Sequence, residues 1–66
     1  MRTLVTGATS LLGRHTVDVL QGDGHEVVVL QRSPCGIENT TEHLGSIADR
    51  EVVDRAMAGV DGVIHL

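Results

Sequence analysis

Short apolar runs alternate with segments of helical periodicity along this chain. Residues 3–6, 27–30 and 62–66 are runs of apolar and β-branched residues, and such runs predict strands that are buried in a sheet. A weaker run at residues 42–45 carries one strong apolar residue and predicts a further, short strand. The pattern therefore predicts four strands that are separated by other segments, some of them with helical periodicity.

Two of those segments space their residues three and four positions apart, as one face of an α-helix does. The buried face expected for the first segment, residues 10–21, consists of Gly13, Thr16, Val17 and Leu20. The buried face expected for the second segment, which follows Asp49, consists of Val52, Val53, Ala56 and Met57. We expect Asp49 to cap this second helix and Gly59 to end it.

Strands that alternate with helices predict an α/β protein with a parallel sheet of about four strands and two main helices. The segment SPCGIENTT, residues 33–41, contains the breakers Pro34, Gly36 and Asn39. Because it is short for a helical crossover between parallel strands, we expect a loop or a single turn there. The last run is a core strand, so we expect the chain to be the first part of a longer domain.

The composition narrows the functional classes. The chain has 66 residues, of which 41% are hydrophobic and none is aromatic, so its core must be aliphatic. A net charge of −4 gives no basic surface for nucleic acid, and no apolar run approaches the thickness of a bilayer. The four histidines lie in different elements and predict no metal site, and Cys35 is the only cysteine. We therefore expect a soluble, cytoplasmic protein that binds neither nucleic acid nor membranes.

The segment TGATSLLGRH joins the first strand to the first helix. A glycine turn after a strand aims the free N–H groups of a helix start at a bound phosphate. Gly7 suits the tight turn and Gly13 suits close packing of the helix on the sheet, while Ser10 stands where a third glycine would complete an even spacing. Five residues separate the two glycines and Arg14 follows, which does not match the spacing of a P-loop.

Four segments, TGATSLLGRH, GHEVVVLQR, LGSIAD and AGVDGVIHL, together resemble the opening of the extended short-chain dehydrogenase/reductase family. The resemblance is to its epimerase/dehydratase and 3β-hydroxysteroid dehydrogenase relatives, and it covers essentially the whole chain. It implies the N-terminal half of a Rossmann fold with the strand order 3-2-1-4. Residues 1–66 would then be the first part of a single NAD(P)-binding domain, truncated at the fourth strand.

The resemblance also implies cofactor-binding residues at the ends of the strands and at the start of the first helix. These residues are Gly7, Thr9, Ser10, Leu11, Leu12, Gly13, Gln31, Arg32, Ser46, Ile47, His65 and Leu66. For His65 and Leu66 it is the backbone that is expected to line the cofactor, while the His65 ring is expected to pack. We expect no catalytic role for Cys35.

Several of these positions depart from the usual residues of the family. Ser10 replaces a glycine, which leaves three alternatives for its side chain. It narrows the approach to the pyrophosphate, it donates a hydrogen bond to a phosphate oxygen, or it only caps the helix. Gln31 replaces the aspartate that holds the ribose 2′-hydroxyl of NAD, and Arg32 resembles residues that hold the 2′-phosphate of NADP. The alternative for Arg32 is a solvated surface side chain. Ser46 replaces an aspartate beside the adenine, and Ile47 keeps the apolar contact. We expect NADP as the cofactor, with NAD as the alternative.

Relatives carry their chemistry on a Ser/Thr and a Tyr-x-x-x-Lys pair, and this chain contains no tyrosine, so we expect no catalytic residue within it. The resemblance thus implies the cofactor-binding half of an NAD(P)-dependent oxidoreductase or sugar-nucleotide epimerase/dehydratase. Its partners would be the dinucleotide and, only in the full-length parent, a small-molecule substrate. The alternatives are a non-catalytic NADP-binding sensor or a piece that binds nothing when isolated.

Overall fold

The computed structural model of the chain describes residues 1–34 and 36–66, so the expectation for Cys35 lies outside the described residues. In chain order the elements are β1 (Arg2–Thr6), α1 (Leu11–Gly22), β2 (Glu26–Gln31), β3 (Thr40–Leu44), α2 (Arg50–Met57) and β4 (Gly62–His65). The strands form one parallel sheet in the order β3-β2-β1-β4. This confirms the α/β class, the N-terminal half of a Rossmann fold and the order predicted from the sequence. Neither described helix is long and apolar enough to cross a membrane.

The two helices cover opposite faces of the sheet, because neighbouring residues of β1 and β2 point to opposite sides. The cluster under α1 consists of Val5, Ala8, Val17, Val27 and Val29. The cluster under α2 consists of Leu4, Val28, Leu30, Val52 and Ala56. Both faces of these central strands are covered, which explains why the apolar runs of β1 and β2 are continuous.

Both helices begin with a side-chain cap. Ser10 caps α1, and Asp49 caps α2 as predicted, its Oδ1 accepting from Glu51 N at 3.1 Å and Val52 N at 3.4 Å. The predicted faces turn towards the sheet: Gly13, Val17, Val52 and Ala56 are buried, and Thr16, Leu20 and Val53 are half-buried. The exception is Met57, which is 40% exposed. Met57 is the last residue of α2, so it lies at the end of the surface that the helix presses onto the sheet.

The third strand begins two residues earlier than the sequence indicated. Thr40 and Thr41 pair with Val27 and Val28 of β2, so two β-branched residues extend the strand towards its start. At the other end, Gly45 N–H donates to Gln31 O at 2.7 Å. The described residues between β2 and β3 form no helix, as predicted for so short a connection.

The prediction that residues 62–66 form a buried strand is wrong in one respect. The strand exists, but its side chains are half-buried or exposed, and Val63 is 50% exposed. The reason is that β4 pairs only with β1 and lies at the edge of the sheet. Ile64 alone among its side chains packs against the cluster under α1.

Candidate functional site

The carboxyl ends of the strands open into a cleft of about 350 Å³. Its lining consists of Thr6, Gly7, Thr9, Leu30, Gln31, Arg32, Ser33, Gly45, Ile47, His65 and Leu66. The cleft lies where the order of the strands reverses between β1 and β4, the place where parallel α/β sheets bind ligands. Most of the residues predicted to bind a cofactor line this cleft. The other predicted residues do not line it: Ser10, Leu11, Leu12 and Gly13 lie at the start of α1, and Ser46 follows β3.

The floor of the cleft is the turn that joins β1 to α1. Gly7 has a φ of +78°, a conformation that side-chain-bearing residues rarely adopt. A Cβ on Gly7 would stand 3.0 Å from Leu66 O, so the turn also passes close to the end of β4. Gly13 brings α1 against this turn, because a Cβ there would lie only 2.1 Å from Gly7 O. Both glycines are thus required by the geometry of the floor.

Ser10 is held within this floor by two hydrogen bonds of its hydroxyl group. Its Oγ accepts from Gly13 N at 3.0 Å and donates to Gly7 O at 2.8 Å. Because the Oγ accepts from an N–H group of the first helical turn, the side chain is a helix cap. Its hydroxyl hydrogen is used by the carbonyl of Gly7. The sequence left three roles open for this serine, and the geometry matches the cap.

Ser10→Ala is therefore expected to lower the free energy of unfolding by about 1 kcal/mol, because Gly13 N–H loses its acceptor. Ser10→Gly should cost only a few tenths of a kcal/mol, since glycine is tolerated at this helix position. Urea unfolding of the two variants beside the unmutated protein measures both values. Equal stability of Ser10→Ala and the unmutated protein would contradict the role of the cap.

The first turn of α1 offers two unused hydrogen-bond donors. Within the described residues, the N–H groups of Leu11 and Leu12 have no acceptor, as expected for the first positions of a helix. The side chains of both residues are exposed, 89% for Leu11 and 63% for Leu12. These donors stand at the positive end of the helix dipole, and together they favour an anion.

Gln31 lies at the end of β2, opposite the turn, and only 8% of its surface is exposed. In the amide orientation that satisfies its neighbours, its Oε1 accepts from Ala8 N at 3.0 Å and from Thr9 N at 3.1 Å. The side chain therefore reaches across the floor of the cleft to the backbone of the turn. The sequence placed Gln31 beside a ribose but gave no sign of this contact.

The charge of the cleft is carried by Arg32, which follows β2 and is exposed. No aspartate or glutamate is among the described lining residues. An anion in the cleft would therefore meet a cation and no carboxylate. Nor does the described part of the chain contain a group of three His, Cys, Asp or Glu side chains that would hold a metal ion.

His65 and Thr6 close the cleft at the strand β4. Thr6 and His65 are register partners in β1 and β4, and the Thr6 hydroxyl is hydrogen-bonded to His65 Nδ1. Leu66 N–H donates to Thr6 O at 3.3 Å and continues the pairing by one residue. The ends of the two strands are thus tied together beside Gly7.

Ser46 and Ile47 follow β3 and differ in their contacts. The Ser46 Oγ accepts from Ala48 N at 3.0 Å, so this side chain shapes the turn before α2 and does not line the cleft. Ile47 does line it, and 58% of its surface is exposed. An apolar surface is therefore available at the β3 side of the cleft.

The sequence interpretation missed four lining residues: Thr6, Leu30, Ser33 and Gly45. Each of them lies at, or within two residues of, the carboxyl end of a strand. That position is itself a signal, because the carboxyl ends of parallel strands share one edge of the sheet. They were missed because none of them stands at the glycine spacing that singled out Gly7 and Gly13.

Comparison with known proteins gives one family match over nearly the whole chain. Residues 3–66 match the family described as the NAD dependent epimerase/dehydratase family. UDP-glucose 4-epimerase of Neisseria meningitidis serogroup B is 36% identical over 78 residues, which cover 97% of this chain and 23% of that protein. UDP-glucuronic acid decarboxylase 1 of Danio rerio is 34% identical over 70 residues, which cover 98% of this chain and 17% of that protein.

Solved structures match over the same range. A short-chain dehydrogenase/reductase superfamily protein from Agrobacterium tumefaciens, crystallised with bound NAD, superposes with a TM-score of 0.89 at 33% identity. The match covers 100% of this chain and 20% of that one. This chain thus spans about a fifth of the length of the proteins it resembles.

Proposed function

The chain belongs to the NAD dependent epimerase/dehydratase family, and from this premise we propose that it binds the adenosine side of a dinucleotide cofactor. The activity that the cofactor serves would be that of an NAD(P)-dependent oxidoreductase or a sugar-nucleotide epimerase/dehydratase. One observation carries the proposal. The unused N–H groups of Leu11 and Leu12 stand at the edge of a glycine floor whose close contacts leave no room for side chains.

The described residues fit the parts of such a cofactor. The donors of Leu11 and Leu12 suit the pyrophosphate, Arg32 directly after β2 suits the ribose, and the exposed surface of Ile47 suits the adenine. Leu66, directly after β4, would line the far side of the cleft. When bound, the cofactor supplies hydride transfer at its nicotinamide.

We propose NADP as the preferred cofactor. Arg32 offers a guanidinium to a 2′-phosphate, and no described lining residue offers a carboxylate to a free 2′-hydroxyl. The related structure from Agrobacterium tumefaciens was crystallised with NAD, so this preference rests on the residues of the present chain and not on the comparison.

The proton-transfer residues and the small-molecule substrate site of the reaction would lie outside these residues. The chain contains no tyrosine, whereas the family resemblance implies a catalytic tyrosine and lysine. We place the protein in the cytoplasm, where a chain with a single cysteine and a soluble cofactor would be expected.

The proposed site is tested by nuclear magnetic resonance, which measures the chemical shifts of the backbone N–H groups when NADP⁺ is added to the full-length protein. The N–H resonances of Leu11 and Leu12 should shift most, because these groups gain a charged acceptor. The exposed residue Asp54 of α2 lies away from the cleft and serves as the internal control. Saturable shifts at α2 without shifts at the start of α1 would contradict the proposal.

A further inference from the structure

We propose that Ser33 is a phosphorylation site and that a phosphate on its hydroxyl group closes the cleft to the dinucleotide. The modifying partner is a protein kinase that selects a serine followed by a proline. The closure of the cleft rests on the proposed function, because it needs a dinucleotide to exclude. The modification itself rests only on Ser33 and its neighbours.

The hydroxyl group of Ser33 is free, unlike those of the other two serines of the chain. Ser10 Oγ makes two hydrogen bonds within the glycine turn, and Ser46 Oγ accepts from Ala48 N. No described residue is hydrogen-bonded to the Ser33 hydroxyl, and Ser33 is exposed after the end of β2. An enzyme could therefore use this oxygen as a nucleophile without breaking a hydrogen bond among the described residues.

The residues beside Ser33 make it a suitable substrate for such an enzyme. Pro34 follows it, and a proline disfavours the helical conformation of the residue before it and favours an extended one. Residues 32–34 are exposed and belong to no helix or strand. The segment can thus enter the active site of a kinase while the pairing of the sheet is kept.

The reaction requires ATP as the phosphoryl donor. The Ser33 Oγ forms a bond to the γ-phosphorus, the bond from that phosphorus to the β-phosphate oxygen breaks, and ADP leaves. The hydroxyl proton passes to a carboxylate of the kinase. The product is a serine phosphate that carries a charge of about −1.5 to −2 at pH 7.

This charge enters the proposed cofactor site. Ser33 and Arg32 both line the cleft, and Arg32 is the only arginine or lysine among the described lining residues. A guanidinium pairs well with a serine phosphate, so Arg32 would no longer be available to the dinucleotide. The charge of the cleft changes from positive to negative, and the phosphates of the dinucleotide are repelled.

Peptide mapping by mass spectrometry tests the modification on the full-length protein purified from its own cells with phosphatase inhibitors. Ser33 should carry phosphate, while Ser10 and Ser46 should not. In an extract of the same cells with added ATP, Pro34→Ala should gain phosphate at Ser33 about tenfold more slowly than the unmutated protein. A Ser33 that carries no phosphate in any growth phase, or equal rates for the two proteins, would overturn the proposal.

The closure of the cleft is tested with Ser33→Glu and Ser33→Gln, whose new side chains have the same size and differ in charge. In calorimetric titrations with NADP⁺, Ser33→Glu should bind about tenfold more weakly than Ser33→Gln. This difference should shrink as the salt concentration rises, because it arises from charge. Equal affinities of the two variants would overturn the closure.

The two experiments separate this inference from the function on which it rests. If neither NADP⁺ nor NAD⁺ binds the unmutated protein, the proposed function and the closure of the cleft fail together. Phosphate found at Ser33 would still establish the modification. If both cofactors bind and the two Ser33 variants have equal affinities, the function stands and the regulatory role of Ser33 is wrong.

Discussion

Gly13→Ala is expected to lower the free energy of unfolding by about 3 kcal/mol or more. The added Cβ would lie 2.1 Å from Gly7 O and 2.7 Å from Ala8 Cα. Both are backbone atoms, so relief requires α1 to move away from the turn. Because that turn forms the floor of the cleft, the variant should also lose dinucleotide binding.

Gly22→Ala is the matched control, since Gly22 ends the same helix and a Cβ there would meet no atom within 4 Å. This substitution is expected to be neutral or to stabilise the protein by up to about 1 kcal/mol, because alanine is the better helix former. Urea unfolding of both variants measures the difference. A Gly13→Ala variant as stable as Gly22→Ala would show that α1 does not press on the turn.

The double variant Gln31→Asp with Arg32→Asn is expected to prefer NAD over NADP. In the proposed site, the loss of Arg32 would remove a charge-assisted contact with the 2′-phosphate worth about 1.5–3 kcal/mol, or roughly ten- to a hundredfold in affinity. The new aspartate offers the free 2′-hydroxyl an acceptor and repels a phosphate. Aspartate is one methylene shorter than Gln31, so the bonds to the turn weaken and some stability is lost as well.

Arg50→Asn provides the control for charge, because Arg50 is exposed at the start of α2 and does not line the cleft. It removes one positive charge, as Arg32→Asn alone does, and should leave the affinities for both cofactors unchanged. Titration of both variants with NADP⁺ and NAD⁺ gives the comparison. Should the double variant still bind NADP⁺ more tightly, the two residues would not set the choice of cofactor.

The sequence predicted the features that depend on local patterns. The continuous apolar run of β2 indicated a strand that is covered on both faces, and the structure confirms that Val27, Val28 and Val29 are buried on alternating sides. The position of Gly13 on the buried face of α1 also followed from spacing alone. Helix caps such as Asp49 were recognisable because the cap and its partners are adjacent in the chain.

The features that the sequence missed depend on residues that are far apart in the chain. The contact of Gln31 with Ala8 and Thr9 requires the end of β2 to lie beside the turn at one particular distance. The pairing of Thr6 with His65 joins residues 59 positions apart. No local pattern encodes such contacts, because they arise only when the sheet brings its strand ends together.

Calorimetric titration of the unmutated full-length protein with NADP⁺ and with NAD⁺ tests the central claim most directly. The claim is that the cleft above the glycine turn holds a dinucleotide and that Gln31 and Arg32 select the one with a 2′-phosphate. It predicts that both cofactors bind and that NADP⁺ binds about ten- to a hundredfold more tightly. Equal or tighter binding of NAD⁺, or no binding of either cofactor, would contradict it.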